Sequence, residues 1–118
     1  MKSICGESFE VCLEEVNNTV VFKGALRLSG TEDYLPILTM LKGTLALASE
    51  HKPVVLDLRE LDFLNSSGIT MLSRFVIEAR DQTDTSLHFV ASESVPWHAR
   101  SLKNLQRLMP GLVIRLTS

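Results

Sequence analysis

The N-terminal part of the chain alternates apolar and polar residues with the period of a β-strand. Between residues 9 and 16 the apolar residues Phe9, Val11, Leu13 and Val16 stand among charged or polar neighbours. This alternation is typical of a strand with one buried face. Asn17-Asn18 is a turn signal, because asparagine tolerates a left-handed backbone. A second strand is predicted over residues 19–28, and the two strands should pair as a hairpin.

A helix is predicted from about Tyr34 to Glu50, because apolar residues recur there at helical intervals. Thr31 or Asp33 can cap its N-terminus by accepting a hydrogen bond from a free backbone N–H. Pro36 is then expected in the first turn, where its missing N–H has no helical partner to lose. The residues on the predicted buried face are Leu38, Leu41, Leu45 and Ala48.

The rest of the chain alternates short apolar runs with helical patterns. Strands are predicted over residues 53–58, 87–91 and 112–116, and helices over residues 66–81 and from residues 94–96 to 109. The element order is β-β-α-β-α-β-α-β. Strand–helix–strand units imply parallel strands joined by right-handed crossovers. We therefore expect an α/β fold, with an N-terminal hairpin, a mixed sheet of about five strands and helices packed on that sheet.

The composition narrows the classes of protein that this chain can represent. A length of 118 residues is that of one ordinary domain, so residues 1–118 are expected to form a single domain. The net charge is −2. Arg100, Lys103 and Arg107 have helical spacing and are interpreted as a solvated helix face, so nucleic acid is not expected as a partner.

The sequence shows no sign of export or of membrane insertion. The first ten residues lack a long apolar core, and no apolar run approaches the ~20 residues of a membrane span. Cys5 and Cys12 are interpreted as reduced thiols, because their spacing does not suggest a zinc site. The protein is therefore expected to be cytoplasmic, with no cofactor and no metal.

The segment from Val54 to Ile69 carries the main functional signal. A buried strand is followed by a short acidic loop and then by small polar residues that begin a helix. Asn65 or Ser66 can cap this helix, and a serine at such a position usually does no more than that. Gly68 in the first turn leaves room for another group to approach the backbone.

This segment resembles the signature of the sulphate-transporter and anti-sigma-factor-antagonist (STAS) family. In that signature an apolar strand ending in Asp-Leu leads to Asp-Ser-Ser/Thr-Gly-Leu at a helix start. Here the corresponding residues are Asp57-Leu58 and, after Phe63-Leu64, the run Asn65-Ser66-Ser67-Gly68-Ile69. The element order matches the family along nearly the whole chain, and the last helix and strand are also similar. The chain looks like a divergent bacterial branch of the family.

The resemblance implies a protein-interaction switch and not an enzyme. In anti-sigma-factor antagonists of this family, the serine that corresponds to Ser66 is phosphorylated by a partner serine kinase, which is an anti-sigma-factor-like protein. Ser67 is the alternative acceptor, and a PP2C-type phosphatase would reset the switch. Asn65 stands where the family usually has Asp. The residues expected to bind the partner are Asp33, Asp62, Asn65, Ser66, Ser67 and Gly68.

Other functions remain open at this stage. A STAS subunit that docks to a membrane transporter without being phosphorylated is the alternative, and a small enzyme or ligand-binding domain could share the topology. Asp57 and Asp62 are interpreted as solvated turn residues and not as a carboxylate pair or a Mg²⁺ site. His51, His88 and His98 are interpreted as packing or surface residues. The sequence makes no prediction about oligomeric state.

Overall fold

The computed structural model describes residues 2–48, 52–82 and 85–117. In these ranges one sheet contains β1 (Lys2–Cys5), β2 (Phe9–Glu14), β3 (Thr19–Leu26), β4 (Val54–Leu64), β5 (Leu87–Ser92) and β6 (Val113–Thr117). The helices are α1 (Gly30–Leu45), α2 (Ser66–Asp81) and α3 (Pro96–Leu108). The mixed α/β architecture is confirmed, with one strand more than expected.

The strands lie in the sheet in chain order. β1, β2 and β3 are antiparallel, whereas β3, β4, β5 and β6 are parallel. Each of the three crossovers moves one strand further in the same direction, and right-handed crossovers then place all three helices on the same face of the sheet. The core lies between that face and the helices, where Phe22, Phe75 and Phe89 are almost fully buried.

The additional strand is β1. Its residues show no alternation, and only Ile4 is even half-buried. β1 is held by its antiparallel pairing with β2, in which Lys2 lies opposite Leu13 and Cys5 opposite Glu10. Backbone pairing of this kind has no signature in side-chain hydropathy, so the pattern did not predict it.

Helix α1 begins four residues earlier than predicted. Its N-cap is Ser29, whose side chain makes no capping hydrogen bond, so the predicted caps Thr31 and Asp33 instead lie within the first turns. Pro36 is inside the helix and not in its first turn, which removes one backbone hydrogen bond. The helix ends at Leu45, and the predicted end at Glu50 lies outside the described residues, as does His51.

Strand β4 is longer than predicted. The acidic loop expected after Leu58 is part of the strand, which continues to Leu64 beside β3. Two register shifts in the pairing with β3 make this possible. One of them lies at Gly24, where φ is +88° and a Cβ atom would collide with the Ser8 carbonyl oxygen. The irregular pairing spaces the buried residues Leu58, Leu61 and Leu64 by three instead of two, so strict alternation failed to reveal the strand.

No helix within the described ranges is long and apolar enough to cross a membrane.

Candidate functional site

The predicted functional residues gather where the central strands end. Leu26 of β3 lies opposite Leu64 of β4, and both strands then lead into helices, α1 and α2. Parallel strands bring their carboxyl ends, and the N-termini of the helices that follow, to one edge of the sheet. We call residues 27–34 together with residues 62–68 the C-terminal edge.

Asn65 holds this edge together through its side chain. Its Oδ1 accepts hydrogen bonds from the Gly68 backbone N–H (3.0 Å) and from the Tyr34 hydroxyl (2.6 Å). Its Nδ2 donates to the Leu28 carbonyl oxygen (2.8 Å). Of the two predicted caps for α2, Asn65 is the one that the structure uses. An aspartate could accept the first two bonds but could not donate the third, which explains the amide at this position.

Gly68 is buried, and the space beside it is already filled. A Cβ atom there would collide with Leu64 and lie 2.9 Å from the Tyr34 hydroxyl. Gly68 was expected to leave room for another group to approach its backbone, and the groups that approach it are Leu64 and Tyr34 of this chain. Tyr34 is itself fully buried, and burial raises the pKa of its phenol above the ordinary value.

The two serines differ in accessibility. Ser66 and Ser67 are the first two residues of α2, with Ser66 exposed and Ser67 half-buried. The first turn of α2 contains no acidic residue, so the positive end of the helix dipole is not compensated by a carboxylate in that turn. Ser66 is therefore the more accessible hydroxyl in a position that accommodates negative charge.

Asp33 and Asp62 are both exposed and belong to the C-terminal edge by position. Asp33 directly precedes Tyr34, whose hydroxyl donates a hydrogen bond to Asn65. The Asp62 carbonyl oxygen accepts a hydrogen bond from the Trp97 indole N–H (2.9 Å), which ties the start of α3 to the edge. Trp97 is half-buried and packs against the core.

Asp57 and Asp62 do not form a pair. Both lie within β4 and not in a turn, and their five-residue separation places their Cα atoms roughly 16 Å apart. Asp57 accepts hydrogen bonds from Arg59 Nη2 (2.7 Å) and Nε (3.0 Å). Burial alone would raise the pKa of Asp57, but the bonds and the charge of Arg59 lower it below its ordinary value. No cluster of three or more His, Cys, Asp or Glu side chains suited to a metal occurs within the described ranges.

An exposed aromatic residue at the edge was missed by the sequence argument. Phe63 is 40% exposed, and the Arg27 guanidinium carbon lies 4.7 Å from the centre of its ring. In the sequence Phe63 and Leu64 are simply two adjacent apolar residues. Because neighbouring side chains of a strand point to opposite faces, strand alternation could have indicated that one of the two faces outward. Phe63 therefore exposes an apolar surface three residues before Ser66.

His98 is a buried structural residue. The Ser92 backbone N–H donates to its Nδ1 (3.0 Å), so Nε2 carries the proton and donates to the Leu61 carbonyl oxygen (2.9 Å). The imidazole thereby links α3 to β4 and β5. Both ring nitrogens are occupied, in agreement with the interpretation of His98 as a packing residue.

Comparison with known proteins confirms the expected fold, which is STAS-like. One chain in the crystal structure of the diguanylate cyclase SiaD in complex with its activator SiaC, from Pseudomonas aeruginosa, superposes with a TM-score of 0.73 at 14% identity. That alignment covers 99% of this chain and 100% of that chain. An anti-sigma factor antagonist from Mycobacterium paratuberculosis superposes with a TM-score of 0.61 at 19% identity, over 92% of this chain and 88% of that chain. No family model and no curated protein matches the sequence.

Proposed function

We propose that this chain is a bacterial regulatory protein without enzymatic activity, which binds a partner protein through its C-terminal edge under the control of Ser66 phosphorylation. The observation that carries the proposal is the placement of Ser66. It is exposed at the first position of α2, directly after an asparagine whose side chain is fixed by three hydrogen bonds. The same general fold occurs in an anti-sigma factor antagonist and in a complex of an enzyme with its activator.

Phosphorylation would change the charge of the edge without requiring the fold to change. A phosphate adds about −1.5 to −2 charges at neutral pH. The N-terminus of α2 tolerates that charge because the helix dipole is positive there. Asp33 and Asp62 are exposed on the same edge, so the modified edge would be strongly negative. A partner fitted to the unmodified edge would then lose contact through bulk and through repulsion of its own acidic groups.

The enzymes that add and remove the phosphate are proposed from the family resemblance. A partner serine kinase of the anti-sigma-factor type would phosphorylate Ser66, and a PP2C-type phosphatase would reverse the reaction in the cytoplasm. Ser67 is the second candidate acceptor, although its half-buried side chain makes it less accessible. Asn65 in place of the usual aspartate keeps the edge folded through Leu28, so its role in this proposal is structural.

A second possibility concerns the nature of the partner. The alignment with a chain of the SiaD–SiaC complex spans 99% of this chain, and that complex joins a diguanylate cyclase to its activator. The docked partner of this chain could accordingly be an enzyme that it activates. Constitutive docking to a membrane transporter, with Ser66 unmodified, is the alternative that the family resemblance supplies.

Binding to the partner tests the proposal. Chains carrying Ser66→Ala or Ser66→Asp would be used as baits in native extracts, and each partner recovered would be purified and its affinity measured. Ser3→Asp provides a matched control, because Ser3 is also exposed but lies on β1. We expect Ser66→Ala and Ser3→Asp to bind as the unmodified chain does, and Ser66→Asp to bind at least about tenfold more weakly. Equal affinity for Ser66→Ala and Ser66→Asp would contradict the switch.

A further inference from the structure

Arg27 is the single lysine or arginine of the C-terminal edge. It is exposed, and it forms no salt bridge with any residue in the described ranges. Its guanidinium group instead lies over the ring of Phe63. The acidic residues of the edge are Glu32, Asp33 and Asp62. Arg27 is therefore the one side chain of the edge that can neutralise an added negative charge.

The pairing of β3 with β4 brings Arg27 close to Ser66. Leu26 lies opposite Leu64, and the Asn65 backbone N–H donates to the Leu26 carbonyl oxygen (3.2 Å). Arg27 directly follows Leu26, and Ser66 directly follows Asn65. Because neighbouring strands lie about 5 Å apart and consecutive Cα atoms about 3.8 Å apart, the Cα atoms of Arg27 and Ser66 are separated by roughly 10 Å or less. The side chains of an arginine and a phosphoserine together span that distance.

The side chains of Arg27 and Phe63 lie on the same side of the sheet. Ala25 is opposite Phe63 in the register, and Arg27 comes two residues after Ala25, so the alternation of a strand directs all three away from the helices. The guanidinium carbon is 4.7 Å from the centre of the Phe63 ring, which is within the range of a cation–π contact. Such a contact is weak at an exposed site. The guanidinium group can therefore leave the ring at little cost.

We propose that Arg27 is the receptor for a phosphate on Ser66, and that its guanidinium group moves from the Phe63 ring to the phosphate when Ser66 is phosphorylated. The inference rests on the proposed function, because it concerns the chain after phosphorylation. An arginine can donate two parallel hydrogen bonds to a phosphate, and these charge-assisted bonds are stronger than the contact of a cation with an exposed ring. The movement is a rotation of the Arg27 side chain and makes or breaks no covalent bond.

The movement changes more of the edge than the modified side chain alone. In the unmodified chain, the edge presents a guanidinium group that lies on an aromatic ring. In the phosphorylated chain, that cation is paired with the phosphate, and the ring of Phe63, already 40% exposed, loses its cover. A partner whose carboxylate pairs with Arg27 would lose this ion pair and would also meet the phosphate. Arg27 thus extends the effect of the modification beyond Ser66 itself.

The first test places the phosphate on the chain directly. Phosphoserine is incorporated in place of Ser66 during expression through a reassigned stop codon, so the result does not depend on a kinase. Phosphorus NMR then follows the second pKa of the phosphate, which a nearby cation lowers. Arg27→Gln should raise this pKa by about 0.5 unit or more. The acidic residues of the edge are the same in every variant, so their effect cancels in the comparison.

Lys23→Gln is the matched control for this titration. Lys23 is also an exposed cation of β3, but it lies four residues before Arg27, roughly 13 Å along the strand. Its removal changes the net charge of the chain by the same amount and should leave the phosphate pKa nearly unchanged. A phosphate pKa that responds equally to Arg27→Gln and to Lys23→Gln would overturn the proposal.

The second test follows the Arg27 side chain by NMR. In the unmodified chain its signals should be displaced by the Phe63 ring, and Phe63→Leu should remove that displacement. Phosphoserine in place of Ser66 should remove it as well, and treatment with alkaline phosphatase should restore it. Arg27 signals that keep their ring displacement in the phosphorylated chain would overturn the proposal. That result is separate from failure of the proposed function, which would appear as an unmodified Ser66 in native cells.

Discussion

The Tyr34 hydroxyl donates a 2.6 Å hydrogen bond to Asn65 Oδ1, although the two residues are 31 positions apart. The bond joins the first turns of α1 to the N-cap of α2 and so fixes the two helix starts that surround Ser66. The Tyr34 hydroxyl is buried and would lose this acceptor if Asn65 were absent, whereas Asn65 Oδ1 would keep the hydrogen bond from the Gly68 N–H. The geometry of the candidate site therefore depends on a contact between distant parts of the chain.

The amide of Asn65 is expected to be essential for stability. Asn65→Asp keeps the two acceptor bonds but sets a carboxylate oxygen against the Leu28 carbonyl oxygen. We expect a loss of about 1–3 kcal/mol in the free energy of unfolding at neutral pH. Urea titration followed by the fluorescence of Trp97, the single tryptophan of the chain, measures this value. Stability unchanged by Asn65→Asp would show that the bond to Leu28 contributes nothing.

Two glycines in helices should respond to alanine in opposite ways. Gly68→Ala forces Leu64 and Tyr34 to move, and we expect it to cost about 1–3 kcal/mol. Gly43→Ala adds a methyl group in α1 that meets nothing within 4 Å beyond the adjoining residues and the backbone of its own helix, and we expect a gain of up to about 1 kcal/mol from higher helix propensity. Thermal or urea unfolding of both variants checks the contrast, and a stabilising Gly68→Ala would refute the packing described here.

Alkaline pH should destabilise the protein through Tyr34. Its pKa is raised in the folded state because burial disfavours the phenolate. The resulting stabilisation is complete below the pKa of the unfolded chain and is lost as pH rises through the higher folded pKa. Tyr34 is the single tyrosine, so phenolate absorbance in the native and the urea-unfolded chain assigns both values directly. A Tyr34 pKa in the native chain at or below its value in the unfolded chain would contradict this prediction. Tyr34→Phe is the control, because it has no phenol and gives no phenolate absorbance.

Replacing His98 should destabilise the fold without involving the edge directly. His98→Ala removes the bonds to Ser92 and Leu61 and leaves a cavity, for which we expect a loss of about 2–5 kcal/mol. His88→Ala, at a half-buried position on β5, should cost much less. Urea titration compares the two, and similar small losses would mean that the His98 bonds are not structural.

Periodic elements could be predicted from the sequence because their signal is local. The bounds of α2 and the order from β2 to β6 follow from apolar spacing and turn residues. Asn18, with φ at 48°, confirms the left-handed turn that Asn17-Asn18 suggested. β1 has no apolar period, and β4 crosses a bulge that breaks its alternation. A later start for α1 was predicted because it placed Pro36 in the first turn of the helix. In the structure Pro36 lies inside α1, where packing outweighs the one backbone hydrogen bond that the proline removes.

The candidate site was predictable in its position but not in its connections. Ser66 at a helix start follows from the residues around it. The same residues indicated that some group could approach Gly68. They did not identify Tyr34 and Leu64 as the groups that do so, because that approach is a tertiary contact that no spacing rule reports. The donor role of the Asn65 amide was hidden for the same reason, since its acceptor Leu28 lies 37 positions away.

The central claim is that Ser66 is a regulatory phosphorylation site. Intact-mass and peptide mass spectrometry of the chain purified from its native cells tests this most directly, with phosphatase-treated protein as the control. We predict one phosphate on the peptide containing Ser66, assigned by fragmentation to Ser66, absent after phosphatase treatment and variable with growth condition. An unmodified Ser66 under every condition sampled would contradict the account.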